Sequence, residues 1–166
     1  MKRYIILVAL VFFPLFTTFS LSYGQPDLTV PGKIRTTGPP SFVGENIKVP
    51  LAFKIENKGN MAAGPFQLSL MQRLPAPPGA EQEIEFTGPR TFSGLEPRRR
   101  VDISGDVTIH KSFAGKKVQI RAIVDSGMQV RESKEDNNWS PWLEVQMPVR
   151  VERPPLTPVR LSLIHI

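Results

Sequence analysis

Ile47, Val49, Leu51, Phe53 and Ile55 occupy every second position of one stretch, and Lys48, Pro50, Ala52, Lys54 and Glu56 fill the places between. Only an extended chain puts all five apolar side chains on one side, because successive residues of a strand point to opposite faces. A strand with one oily face must pair with others and be covered, so the chain has to build a sheet with something packed on it. Pro50 sits on the outer face and has no amide hydrogen to give a ladder, which marks an edge or a bulge.

The same period of two recurs at Val118, Ile120, Ala122 and Val124, set between Gln119, Arg121 and Ile123. Weaker runs surround these two. One lies at 28–30 and extends towards Ile34. Others are Phe66, Leu68 and Leu70, then Ile84 and Phe86, and finally Leu143, Val145 and Met147. A long run holds Val101, Ile103, Val107 and Ile109, with Gly105 as the expected site of a bulge. Turn-forming clusters separate the runs, among them Asn57-Lys58-Gly59-Asn60, Pro75-Ala76-Pro77-Pro78-Gly79 and Asp125-Ser126-Gly127. No window carries a helical stripe, and 17 prolines in 166 residues argue against a helical bundle. The expectation is an all-β fold, an Ig-like antiparallel β-sandwich of about seven strands. The chain has no cysteine, so its core alone must hold it together, and thiolate metal sites and cysteine nucleophiles are excluded.

The first residues read as an address. Lys2 and Arg3 precede an apolar stretch from Tyr4 to Phe16, and small residues follow, ending Ser22-Tyr23-Gly24. This is the layout of a secretory signal peptide, with cleavage expected after Gly24. The stretch is shorter than the roughly 20 residues a membrane-spanning helix needs. An uncleaved N-terminal anchor is the alternative. Export to the periplasm, cell surface or medium follows, with no membrane span left after cleavage. Residues 25–149 then form the domain and the proline-rich 150–160 a linker. The tail, Leu161-Ser162-Leu163-Ile164-His165-Ile166, resembles translated sequencing adapter and is read as non-native, the alternative being a short apolar tail that pairs with a sheet edge. The formal charge of +6 falls by two when the signal leaves, too little to imply a nucleic-acid partner. Both tyrosines, Tyr4 and Tyr23, leave with it.

Several short motifs stand in a fixed order. Asp27-Leu28-Thr29 opens the domain. Ile55-Glu56-Asn57-Lys58-Gly59 follows the alternating strand, and Leu95-Glu96-Pro97 precedes the next long one. Then come Ala122-Ile123-Val124-Asp125 and Val130-Arg131-Glu132-Ser133-Lys134-Glu135-Asp136-Asn137-Asn138. In order and spacing this series resembles the CARDB family, the cell-adhesion-related domain found in bacteria, over about residues 26–148. The last segment is its most specific part. One departure is Arg98, where the family usually has glycine after the proline. The resemblance implies an Ig-like sandwich on an exported protein, a binding, adhesion or spacer module, and no catalysis. The expected partner is a protein or a cell-surface glycan.

Residues 125–138 are the densest polar cluster. Asp125, Glu132, Glu135 and Asp136 are candidate calcium ligands, since calcium takes several hard oxygens. The spacing is not that of an EF-hand loop, and the competing reading is a structural hairpin shaped by Asp125, Gly127, Asn137 and Asn138. Arg98, Arg99 and Arg100 are candidates for an anionic partner, or else a solvated turn. Counting in twos from Leu143 buries Trp139 and exposes Trp142, so Trp142 is the candidate platform for a sugar, and the runner-up function is an accessory carbohydrate-binding module of a secreted enzyme. Pro141 is the one residue positioned to break that count. Glu81, Glu83 and Glu85 read as a solvated strand face, and His110 as a surface residue. No nucleophile–base pair is present, so no enzyme is expected.

Overall fold

The computed structural model describes residues 24–77 and 81–150. The expected signal peptide up to Tyr23, most of the linker and the 161–166 tail lie outside the described residues. Nine strands form two antiparallel sheets. They are β1 (Leu28–Thr29), β2 (Arg35–Thr36), β3 (Ser41–Val43), β4 (Asn46–Asn57), β5 (Phe66–Arg73), β6 (Ile84–Phe92), β7 (Arg100–His110), β8 (Lys117–Val124) and β9 (Leu143–Gln146). One sheet is built on β4, with β7 along one side and β1, β2 and β3 in succession along the other. The second runs β6-β5-β8-β9. The fold is the expected Ig-like all-β sandwich, and the only helical piece among the described residues is a turn of 3₁₀ at Lys111–Phe113.

The strand count exceeds the expectation because one edge is broken. Pro31 cannot pair and Gly32 takes a φ of +85°, so the run from Leu28 to Ile34 stops and restarts as β2. That break also settles Pro50. It lies in β4, a strand paired on both sides, and not at an edge. Its carbonyl accepts from the Thr37 amide at 3.0 Å, so its amide side faces the stretch between β2 and β3 where no strand runs. A missing donor there costs nothing. Gly105 makes no bulge: β4 and β7 pair without a slip from Asn46↔His110 to Glu56↔Arg100. The register shifts fall instead between β5 and β6, around Leu70.

The alternating residues meet where expected. Ile47, Val49, Leu51, Phe53 and Ile55 face Phe66, Leu68, Val118, Ile120, Ala122 and Val124, all buried, with Val107, Ile109, Val145 and Met147. The outer face of β4 and β7 carries Lys48–Asp106 at 2.8 Å, Lys54–Asp102 at 3.2 Å and Glu56–Arg100 at 3.0 Å. The two lysine–aspartate pairs are exposed, each contributing a fraction of a kcal/mol.

The alternation ends at Glu56 and Asn57, both buried, because the N-terminal segment folds over the end of β4. Asn57 is fully buried and uses its whole side-chain amide. Its Oδ1 accepts from the amides of Asp27 and Gly59, each at 3.0 Å. Its Nδ2 donates to the carbonyls of Met61 at 2.8 Å and Leu95 at 2.9 Å. Gly59 is required beside it, since a Cβ there would stand 2.2 Å from the Gln25 carbonyl oxygen. The Leu95-Glu96-Pro97 motif supplies the other side: Leu95 is buried and bridges Ala63. Arg98, in the place of the family glycine, keeps the glycine-like backbone with φ +59°, and the Arg99 amide donates to Glu96 at 3.2 Å. Proline followed by a left-handed residue is the pattern of a type II turn.

Two outcomes follow for denaturant unfolding. Asn57→Ala should cost about 3 kcal/mol or more, because two amides and two carbonyls lose their partner in a buried place. Arg98→Gly should add about 1 kcal/mol by removing the left-handed strain. A neutral Asn57→Ala or a destabilising Arg98→Gly contradicts this account.

Candidate functional site

β8 ends in Asp125, and the chain to β9 wraps back over the end of the sandwich. Asp125, with φ +51°, turns its carboxylate onto that loop and accepts from the amides of Gln129 and Val130, each at 2.9 Å. Val130 is tucked inward and buried. Glu132, only 6% exposed, accepts from the Leu28 amide through Oε2 and from Asn138 Nδ2 at 2.7 Å through Oε1. Glu135 accepts from the Glu132 amide at 2.9 Å. The Ser133 amide donates to Pro26 at 2.9 Å, and Asn137 Nδ2 to Asp27 at 2.8 Å. The loop is thus laced to the N-terminal strand.

These bonds bear on the calcium candidates. The carboxylates of Asp125, Glu132 and Glu135 are directed at separate backbone and side-chain amides, and Asp136 points to solvent. Among the described residues no three carboxylate or imidazole side chains converge as a metal site. Burial pushes the Glu132 carboxyl up to about 7, and the nearby Asp125 and Glu135 carboxylates add to the rise, against the pull of the Leu28 and Asn138 donors.

Trp139 departs from the count in twos. It is exposed, at 49%, while Trp142 keeps its expected outer phase, continuing the Ile120↔Leu143 register opposite Arg121, and is half-buried there. The reason is one extra residue. Leu143 pairs with Ile120 and Trp139 with Ile123, so the returning chain spends one residue more than β8 between those points. Such a bulge swaps inside and outside. Asn138 and Ser140 turn inward, and Ser140 Oγ accepts the Ala122 amide at 3.0 Å.

Trp142 lies against two guanidinium groups, Arg73 at 4.2 Å and Arg121 at 4.6 Å, and Arg121 also reaches Trp139 at 5.6 Å. Glu83 holds Arg121 at 2.5 Å and faces Arg73 at 3.9 Å, and Glu81 faces Arg73 at 3.8 Å. The expected solvated carboxylate face is therefore a brace for the two arginines, worth about 0.5–2 kcal/mol per stacked cation.

Beside this ladder the outer face of the second sheet is hollowed into a groove of about 740 Å³. Ser69, Met71 and Ile123 form its floor, Glu85 and Pro89 of β6 one side, and Trp139 with the 125–131 turn the other. Met128 stands at the groove 88% exposed, with φ +50°. Arg98, Arg99 and Arg100 do not line the groove, and Arg100 is paired with Glu56. Trp142 is not among the lining residues either. His110 caps the 3₁₀ turn through Nδ1, which accepts the Ser112 amide at 3.2 Å. Among the described residues no helix is long and apolar enough to cross a membrane.

With this geometry in hand, the comparisons are direct. The CARDB family model matches residues 25–141. The chain belongs to the CARDB family. The crystal structure of a CARDB domain from Pyrococcus furiosus, in complex with di-metal ions, is similar at a TM-score of 0.54 and 21% identity, covering 78% of this chain and 99% of that one. A solution structure of that domain gives 0.51 and 19%, covering 77% and 100%. The comparison with curated proteins gives no match. Family membership supports a non-catalytic Ig-like module.

The Glu132 carboxyl makes stability depend on pH. Its ordinary value of 4.5 applies to the unfolded chain and about 7 to the folded one, so folding favours the protonated form. The stabilisation is full below about pH 4.5 and is lost as pH rises to about 7. Glu132→Gln mimics the neutral acid and should flatten the fall in melting temperature across that window by a few degrees. An equal slope in both proteins contradicts the assignment.

Proposed function

We propose that this CARDB domain is an exported, non-catalytic recognition module that binds an extracytoplasmic partner in the groove beside Trp139 and serves a larger assembly as an adhesion or targeting unit. The observation that carries this reading is the groove itself. It combines an exposed indole, an exposed and strained Met128, and amide, hydroxyl and charged groups on one concave face. A recess mostly apolar at the floor with a few polar groups at the rim is how ligand sites are built. The outer face of the other sheet, at β4 and β7, carries paired charges instead. Export rests on the basic, apolar and small-residue succession of residues 1–24. The carboxylate loop acts as a clamp that shapes the groove, and recognition proceeds without a resident metal.

The test is retention of the full chain, expressed in a bacterial host, on isolated cell-envelope material. Mature protein should begin at Gln25 by N-terminal sequencing. Retention should fall at least about tenfold for Ile123→Arg, which fills the floor, a loss of about 1.4 kcal/mol. Chelator should leave retention and melting unchanged. Retention indifferent to Ile123→Arg overturns the groove as the binding surface.

A further inference from the structure

We infer that the Trp139 groove takes a neutral pyranose chain, the sugar ring lying against the exposed indole while its hydroxyls bond the amide and hydroxyl groups of the rim; this rests on the groove being the recognition surface. Three observations lead there. The first is the state of Trp139. The bulge turns its indole outward, and Arg121, braced by Glu83 and lying against Trp142, approaches the Trp139 ring at 5.6 Å. A half-exposed indole supported in this way is a rigid flat platform. Stacking on such a platform orders few new rotors, so little of the contact energy is lost to entropy.

The second is the rim. Gln67 and Gln129, with the Ser126 hydroxyl, which the buried floor residue Ser69 holds at 2.7 Å, supply donors and acceptors. A sugar presents adjacent hydroxyls that both donate and accept, which amides and serines match and a hydrocarbon does not. The Arg121 Nε is buried without a partner, which leaves this guanidinium with donor capacity unspent.

The third is charge. Arg121 and Arg131 line the groove together with Glu85 and Glu135, while the Asp125 carboxylate is taken by two backbone amides. The groove is close to balanced. An acidic polymer would meet Glu85 and Glu135, and a cationic one Arg121 and Arg131, so an uncharged chain is the best fit. A protein partner is disfavoured, because a standard interface needs about 800 Å² on each side and this recess offers Trp139 and Met128 as its exposed large apolar side chains.

Affinity electrophoresis of the full chain tests this with hydroxyethylcellulose, glucomannan and arabinoxylan, and with polygalacturonate as the acidic comparison. A neutral polymer should slow migration. Trp139→Ala should weaken that effect at least about tenfold at an unchanged melting temperature, and Trp139→Phe should keep part of it. Lys54→Ala, on the other sheet, should bind as the parent does. Indifference of all neutral polymers, slowing by polygalacturonate alone, or slowing unchanged in Trp139→Ala overturns the inference. Envelope retention separates the two readings. Loss after periodate oxidation supports the glycan. Loss after proteinase treatment, with Ile123→Arg still defective, keeps the groove as a recognition surface and overturns the glycan.

Discussion

Asn57 is the point on which both ends of the domain depend. A primary amide offers two donors and two acceptor positions, and here all four are used inside the protein, where any one left open would cost about 1–3 kcal/mol. Through Oδ1 it holds Asp27 and Gly59; through Nδ2 it holds Met61 and Leu95. Two stretches distant in sequence, at Asp27 and Leu95, are thereby fixed against the turn that follows β4. The short strand β1 pairs over only two positions, too few to hold itself, so this lock and the close approach at Gly59 set where it lies.

The position of β1 then sets the position of the recognition loop. Asp27, Leu28 and Thr29 receive Asn137, Glu132 and the Asn137 carbonyl in turn. Glu132 spends one oxygen on β1 and the other on Asn138, the residue before the outward Trp139. A buried carboxyl beside two other carboxylates is costly when charged, which is why its acidity falls so far. Protonation also offers a donor to the Asn138 Oδ1, which has no partner in the ionised arrangement, once that amide turns over. Asp125, Glu132 and Glu135 thus each organise amides at the base of the groove.

The fold was legible wherever a residue's place follows from its neighbours in sequence. The alternations at 47–55 and 118–124 state which side chains go in, and they do. Asn57, Gly59 and Leu95 stood out as motif residues, although their work is visible only in space, since each acts on a stretch far away in the chain. Gly105 misled because glycine in a strand has two readings. The unbroken β4–β7 register leaves no extra residue there, and a Cβ on Gly105 would meet nothing within 4 Å. Pro50 misled for a related reason: the break that accommodates it lies on the neighbouring edge. Trp139 failed most instructively. Counting in twos assumes an unbroken ladder, and a single added residue between Trp139 and Trp142 inverts the assignments upstream of it. Pro141 was the one local sign of that break.

That inversion creates the site. Without the bulge, Trp139 would join the core side and Asn138 and Ser140 would face solvent, leaving β8 with a flat outer surface. With it, two polar residues enter the interior, and each must be met there. Ser140 substitutes its hydroxyl for a ladder carbonyl opposite Ala122, and Asn138 binds Glu132. Ser140 is met at its hydroxyl and Asn138 at Nδ2, though not at Oδ1, and the domain gains an outward indole in return. The ladder from Arg73 through Trp142 to Arg121 then confines the indole from behind. Met128 lies across the same turn in a left-handed backbone that a methionine adopts only at a cost of about 1–2 kcal/mol. Strain, bulge and stacked cations thus gather at one corner of an otherwise regular sandwich, and such local departures from regularity are the features that the proposed recognition surface is built on.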